Sequence, residues 1–306
     1  MQRLSLSNGI PDAFRNSVVA LGNFDGFHLG HQAVVGRAVA RAAHEGRPAV
    51  VATFDPHPVT FFKPDAAPFR LTSLDQREAL FAGAGADAML LFDFDAALAA
   101  TSAAEFVAML QAVVGAAAVV TGEDFVFGAR RSGDADFLRA EGERLGLAAE
   151  TVSPVALGEE PVSSSRIRQA LAAGDPGTAT RLLTRAFAIR GPVQHGDKRG
   201  RELGYPTANM VLGDYQRPAY GIYAVRVRLA DGSEHPGIAN VGVRPTFEPP
   251  VELLETFLLD WSGDLYGQEI EVALHHFLRP ERRFESMDAL SQQMRSDEAE
   301  ARRLLL

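Results

Sequence analysis

The sequence predicts an α/β unit with a doubly wound parallel sheet, followed by a small antiparallel β-barrel and a C-terminal helix. Three observations carry this. Up to about residue 184, short runs that are apolar throughout alternate with helix-patterned segments, as strands covered on both faces by crossover helices do. Beyond Arg185, apolar and polar residues alternate between Gly, Pro and Asp turns, the period of antiparallel strands with one wet face. A chain of 306 residues is also long enough for two domains, each with its own core.

In the first domain, expected over residues 1–184, strands are predicted at 17–21, 49–54, 88–92, 116–121 and 150–155. Helix patterns lie between them near 31–44, 74–82, 102–114 and 134–145. Ser102 with Glu105 fits a capping box at a helix start. Two short helices, 164–173 and 176–183, close this part. The stretch 83–88 (GAGADA) mimics a dinucleotide fingerprint but precedes a strand, so it is set aside. In the second domain, 185–306, Val225, Val227 and Leu229 alternate with Arg226 and Arg228. Five such strand-like runs suit a closed barrel, and a helix over about 286–305 packs on it.

Composition narrows the function. The net charge is −9, and the two domains hold 15 basic against 21 acidic and 15 basic against 18 acidic residues. Neither is a basic nucleic-acid module, since such affinity comes mainly from Lys and Arg on phosphates. The chain has no cysteine, which removes disulfides, thiolate zinc sites and cysteine nucleophiles. No run reaches the roughly 18 apolar residues of a membrane span, and the first residues lack a secretory pattern, so a cytoplasmic location is expected. The only lysines are Lys63 and Lys198, and neither follows a glycine. A P-loop is therefore absent.

The sharpest segment is Gly22-Asn23-Phe24-Asp25-Gly26-Phe27-His28-Leu29-Gly30-His31, placed between an apolar strand and a helix. Ligands of doubly wound sheets bind at the carboxyl ends of strands, and a helix N-terminus there offers N–H groups to phosphate. His28 and His31, three apart, project from one side of the first turn. Two imidazole donors would hold triphosphate oxygens and stabilise the charge that grows as an α-phosphorus is attacked. The bland reading is an ordinary helix start. A zinc site needs a third ligand, and Asp25 alone is a thin case.

A second phosphate site is expected at Gly204-Tyr205-Pro206-Thr207-Ala208-Asn209, after a Gly-rich charged loop. Thr207 and Asn209 face the same way in an extended segment and are hard oxygen ligands suited to Mg²⁺. The alternative is a turn with an Asn cap. Further on, Glu255 is in phase with Leu253, Phe257 and Leu259, whereas Glu252 and Asp260 point the other way. A carboxylate on an apolar face would be a desolvated general base. The bland reading is a frayed, exposed strand.

These motifs resemble those of the prokaryotic bifunctional riboflavin kinase/FMN adenylyltransferase (FAD synthetase) family, whose first domain is of the HxGH nucleotidyltransferase type. Residues 22–31 are similar to its GxFDGxHxGH signature, 53–58 (TFDPHP) to TFxPHP, 122–134 to GxDFxFGxxRxGD and 163–168 (SSSRIR) to SSTxIR. In the second domain, 200–209 is similar to GRxLGxPTAN, 240–247 to NxGxRPTF and 278–284 to LRxExxF. The resemblance spans about residues 17–290. It implies phosphorylation of riboflavin to FMN and adenylylation of FMN to FAD, with ATP and Mg²⁺. It also implies Glu255 as catalytic base, Ser164, Ser165 and Arg168 on phosphate, and Arg279 and Phe284 near the flavin. Asp124, Phe125 and Phe127 then fall in the flavin region, where the two rings would wall an isoalloxazine, although plain core packing suits at least one of them. His57, between two prolines, would lie in an extended loop. Phe257 stands where the family usually has His. Small molecules are the expected partners, with no nucleic acid and no membrane, for a monomer or weak homo-oligomer. The alternative is a nucleotidyltransferase for another substrate beside a non-catalytic flavin-binding barrel.

Overall fold

Val18, Val19, Ala20 and Leu21 are each at most 1% exposed. A strand so buried needs a neighbour on each edge and a layer on each face, and that requirement organises the first part of the chain. The structure, a computed structural model, describes residues 1–195, 205–244 and 251–306. Strands β1 (Gln2–Ser5), β2 (Ser17–Leu21), β3 (Ala49–Asp55), β4 (Ala88–Asp93), β5 (Ala116–Gly122) and β6 (Ala148–Val152) form one sheet in the order β1-β4-β3-β2-β5-β6. All of these pairs are parallel. The helices are α1 (Leu29–Glu45), α2 (Pro58–Phe62), α3 (Leu74–Gly83), α4 (Ala96–Ala100), α5 (Ala103–Ala112) and α6 (Ala135–Leu145).

Alternate residues of each strand feed opposite layers. Val18, Ala20, Val51 and Val120 pack with Val35 and Ala38 of α1 and Phe81 of α3. Val19, Leu21, Ala52 and Val119 pack with Phe106, Val107 and Leu110 of α5 and Leu138 of α6. Each fully buried side chain of this size contributes about 1.5–3 kcal/mol. Ser102 caps α5 as its spacing predicts: its Oγ accepts from Glu105 N at 3.3 Å, and Glu105 Oε2 accepts from Ser102 N at 2.9 Å.

Three local features differ from expectation. The edge strand β1 has no apolar run and only Leu4 is buried, so its partner β4, rather than its own pattern, makes it a strand. The last strand predicted in the first domain, 150–155, is β6, which begins two residues earlier and ends three earlier. His57 is the N-cap of the short helix α2, its Nδ1 accepting from Val59 N at 3.1 Å, instead of lying in an extended loop.

The chain forms two compact units, Met1–Ala67 with Leu74–Ser163 and Pro68–Ser73 with Ser164–Leu306. After a small hairpin, β7 (Ala156–Leu157) with β8 (Glu160–Pro161), the second unit holds helices α7 (Ser164–Ala172) and α8 (Pro176–Leu183). It continues through β9 (Phe187–Pro192), β10 (Ala208–Val211), β11 (Gly221–Arg228), β12 (Glu234–Arg244), β13 (Val251–Leu258), β14 (Glu269–Pro280) and α9 (Met287–Leu305). Its antiparallel order is β10-β13-β12-β11-β14-β9. A bridge in which Gln194 N donates to Asn209 O at 2.8 Å brings the end of β9 to β10 and nearly closes a barrel. Tyr223, Val225, Val227, Ala239, Val241, Leu254, Val272 and Leu274 have no exposed surface. The opposite phase of β11 turns to α9, where Ala224 packs with Ala301 and Leu305.

At one end of β13, Glu252 accepts from Arg217 Nε at 2.7 Å and from the Tyr220 hydroxyl. The Arg217 guanidinium, with help from Tyr220, holds the Glu252 carboxyl below its ordinary value of 4.5, while the carboxylate pushes Tyr220 up to about 12. A depressed folded-state pKa contributes stability that is present above the unfolded value and lost as pH falls through the folded one. Glu252→Gln is therefore expected to melt at a lower temperature than wild type at pH 7. The two melting curves should converge as pH falls below about 4.5, which thermal unfolding followed by circular dichroism at stepped pH will check.

Candidate active sites

In the first unit the strand order reverses beside β2, which has β3 on one side and β5 on the other. Such a switch point leaves a crevice outside the carboxyl ends of the strands. Three motif segments of this unit lie at those ends, 22–31 after β2, 53–58 at the end of β3 and 122–134 from β5.

The first segment is tied down from below. Gly22 N donates to Ala52 O at 3.2 Å. Thr121 Oγ1 donates to Leu21 O at 2.9 Å and Thr53 Oγ1 to Asn23 O at 2.8 Å. Arg77, 1% exposed, places Nη1 3.4 Å from both Asn23 O and Thr53 Oγ1. Sequence reasoning missed Arg77, because a single Arg in a helix carries no sign of burial. Phe24 and Phe27 adopt φ of +48° and +44°, a left-handed conformation costing roughly 1–2 kcal/mol for a residue with a Cβ. Their rings offset this by packing edge-on to Phe81 at 5.8 and 5.2 Å. The Phe24 side chain is therefore a core anchor, 2% exposed, and Asp25 beside it is equally buried.

His28 is the N-cap of α1, its Nδ1 accepting from His31 N at 3.4 Å. In the neutral ring this leaves the proton on Nε2 as a donor. A Cβ on Gly30 would lie 3.2 Å from His28 Cε1, so the glycine lets the imidazole fold over the helix start. The rings of His28 and His31 stack at 3.6 Å and 19°, and Phe24 meets His31 edge-on at 5.3 Å. The result is two stacked imidazoles at the start of a helix, where free N–H groups favour an anion.

From β5, Phe125 and Phe127 stack at 5.7 Å and 16°. Phe127 is 6% exposed and belongs to the core with Phe106, so the bland reading holds for it. Phe125 is half-buried and packs against the edge of that core. Asp124 folds back toward Gly122, whose added Cβ would meet Asp124 Oδ1 at 2.8 Å.

In the second unit, Ser164 and Ser165 open α7 and Arg168 follows one turn later. Arg168 Nε donates to Phe69 O at 2.8 Å, and its guanidinium lies 5.0 Å from the Phe69 ring centre. Phe69 belongs to a segment that joins the barrel, where Gln216 N donates to Arg70 O at 2.7 Å. Nothing in the sequence marks that segment.

The barrel aligns the remaining candidates. In register, Asn209 of β10 lies opposite Glu255 of β13, which lies opposite Asn240 of β12. Directly opposite residues share a face of the sheet. Asn209 is 6% exposed; its Nδ2 is 3.5 Å from Thr207 O, and its Oδ1 is buried without a hydrogen-bond partner among the described residues. An acceptor left so costs about 1–3 kcal/mol, and a hard divalent cation held with the Thr207 hydroxyl fits it.

Glu255 shares its face with Leu253 and Phe257, as its spacing suggests, and that face is not the barrel core. The barrel core takes the other phase of β13, with Leu254 and Thr256 at 0% and Leu258 at 4% exposure. Glu255 is half-buried on the outer face between Leu253 and Phe257. Phe257 meets Tyr205 at 4.9 Å and 66°. Arg279 pairs with Asp297 at 2.7 Å, and Phe284 lies under the guanidinium carbons of Arg279 and Arg282 at 5.7 and 4.7 Å. Gly204 lies outside the described residues.

Comparison with known proteins matches each half to a catalytic family. The FAD synthetase family model covers residues 10–166 and the riboflavin kinase family model residues 183–305. The bifunctional riboflavin kinase/FMN adenylyltransferase of Pseudomonas fluorescens is 44% identical over 292 residues, covering 95% of this chain and 93% of that one. The protein of the same description from Escherichia coli K12 is 39% identical over 286 residues, covering 93% and 91%. A crystal structure described as a macrolide-efflux protein from Streptococcus pneumoniae superposes with a TM-score of 0.88 at 31% identity, covering 99% of both chains. That description belongs to that protein. Among the described residues of this chain, no helix is long and apolar enough to cross a membrane.

Proposed function

The chain belongs to the bifunctional riboflavin kinase/FMN adenylyltransferase family, and from that membership we propose how its residues divide the work. It phosphorylates riboflavin to FMN and adenylylates FMN to FAD. Both halves match catalytic families, so the barrel is not a passive partner. We assign adenylylation to residues 1–184 and phosphorylation to residues 185–306.

In the kinase step, Glu255 takes the proton of the terminal ribityl hydroxyl as that oxygen bonds to the γ-phosphorus of ATP. The bond from that phosphorus to the β-phosphate oxygen breaks, and ADP leaves. The enzyme's ATP chemistry calls for a divalent metal; we propose Mg²⁺, which Thr207 and Asn209 would hold and which would neutralise charge on the phosphates. Gly204 is assigned to nucleotide binding, and Arg279 and Phe284 to the flavin. The observation that carries this assignment is the register that sets Asn209 directly beside Glu255.

In the adenylyl step, an FMN phosphate oxygen attacks the α-phosphorus of ATP and pyrophosphate leaves. That phosphate is already ionised near neutral pH, so no base is required. His28 and His31 donate to the phosphate oxygens as charge builds. Gly22, Asn23, Asp25 and Gly30 help bind the nucleotide, with Phe24 anchoring their loop to the core. Ser164, Ser165 and Arg168 bind phosphate, and Asp124 and Phe125 hold the flavin, with Phe127 backing Phe125. We read the protein as cytoplasmic, monomeric or weakly homo-oligomeric, and without a nucleic-acid partner.

The test is a time course with riboflavin and ATP, separated by chromatography. FMN should appear before FAD, both should stop on chelation, and Mg²⁺ should restore both. FAD formed without a preceding FMN phase, or turnover that survives chelation, would contradict the scheme.

A further inference from the structure

Beside Glu255, on the side away from Asn209, the row of opposed residues continues to Asn240. Asn240 Nδ2 donates to Glu281 Oε1 at 3.0 Å. A carboxylate only accepts, so this bond settles which end of the amide is nitrogen and aims Oδ1 the other way. That oxygen is buried and has no hydrogen-bond partner among the described residues. A Cβ on Gly242, two residues along β12, would overlap the Glu281 carboxylate, so the glycine is what lets Glu281 reach Asn240. The arrangement is a built acceptor waiting for a donor, about 4.5–5.5 Å in Cβ spacing from the base.

We propose that Asn240 Oδ1 accepts a hydrogen bond from the ribityl secondary hydroxyl next to the primary hydroxyl that Glu255 deprotonates. Asn240 is then a substrate-binding residue that makes the kinase require a vicinal diol at the end of the polyol. The inference rests on the reading of Glu255 as base. An alcohol whose reacting oxygen meets Glu255 presents its neighbouring hydroxyl within the span of one strand spacing. The hard ligands Thr207 and Asn209 lie on the other side of Glu255, so the donor met by Asn240 is the alcohol rather than the cation.

The experiment compares riboflavin with an analogue lacking that secondary hydroxyl, on wild-type protein and Asn240→Ala, with FMN adenylylation as an internal control. Wild type should lose about 10- to 100-fold in kcat/KM on the analogue, as expected when a buried acceptor is left unpaired. Asn240→Ala should treat the two substrates within about twofold of each other, since the group that reads the hydroxyl is gone. Its Mg²⁺ and ATP dependence and its FAD formation should stay unchanged. Wild type that accepts the analogue as readily as riboflavin overturns the proposal, and this holds even if Asn240→Ala does not fold. An altered Mg²⁺ dependence in Asn240→Ala also overturns it, by making Asn240 a metal ligand. A separate Glu255→Gln assay keeps the two readings apart: full activity there would sink the base while leaving the analogue comparison intact.

Discussion

Glu255→Gln is expected to slow riboflavin phosphorylation by roughly 10²- to 10⁴-fold, the range for losing a positioned base. Gln keeps the shape and size of the side chain and cannot take a proton. The strand register with Asn209 and Asn240 is made by the backbone and survives. The loss should therefore fall on kcat, with KM for riboflavin little changed. FMN adenylylation, which we assign to residues 1–184, should proceed at the wild-type rate when FMN is supplied. ADP release with riboflavin and pyrophosphate release with FMN, measured on one preparation, will check both. A variant that phosphorylates riboflavin normally would remove Glu255 from the mechanism.

Replacing the two histidines should have the reverse effect. His28→Ala with His31→Ala is expected to reduce FAD formation by about 10²-fold or more, the scale for removing donors to a developing charge, and to leave FMN formation intact. His28 also caps α1, and loss of a cap costs about 1 kcal/mol, so Ala mixes a folding effect with a chemical one. His28→Asn separates them. Asn caps a helix as well as any residue yet cannot place an imidazole donor over Gly30. It should melt close to wild type and still make little FAD. If His28→Asn adenylylates FMN at the normal rate, the imidazole is only a cap.

The inner strands β2–β5 were legible because each is a short apolar run, and such a run has no stable place except between two layers. The turn from Gly22 to His28 was legible as a strand-to-helix connection because Gly, Asp and His occupy fixed positions between an apolar run and a helix pattern. Arg77 was not legible. Its burial depends on Asn23 and Thr53, which are 54 and 24 residues away. The left-handed Phe24 and Phe27 were hidden as well, since β-region or helical φ is the default for Phe and only the packing on Phe81 overrides it.

The strand around Glu255 shows the limit most plainly. In VELLETFLLD both phases contain apolar residues, so a period of two separates Glu252 from Glu255 but leaves open which phase enters the core. The barrel decides in favour of Leu254, Thr256 and Leu258, because only closure through β10 and β12 defines an inside.

By itself, the sequence determined the two architectures and the order of their main elements, since each depends on local pattern and chemical type. The tertiary structure alone decided the partners: Asn240 beside Glu255, Glu281 on Asn240, Arg77 beneath Asn23. The physical reason is that strand register and side-chain burial arise from contacts between segments far apart in the chain, and a local pattern holds no record of which segment will lie opposite.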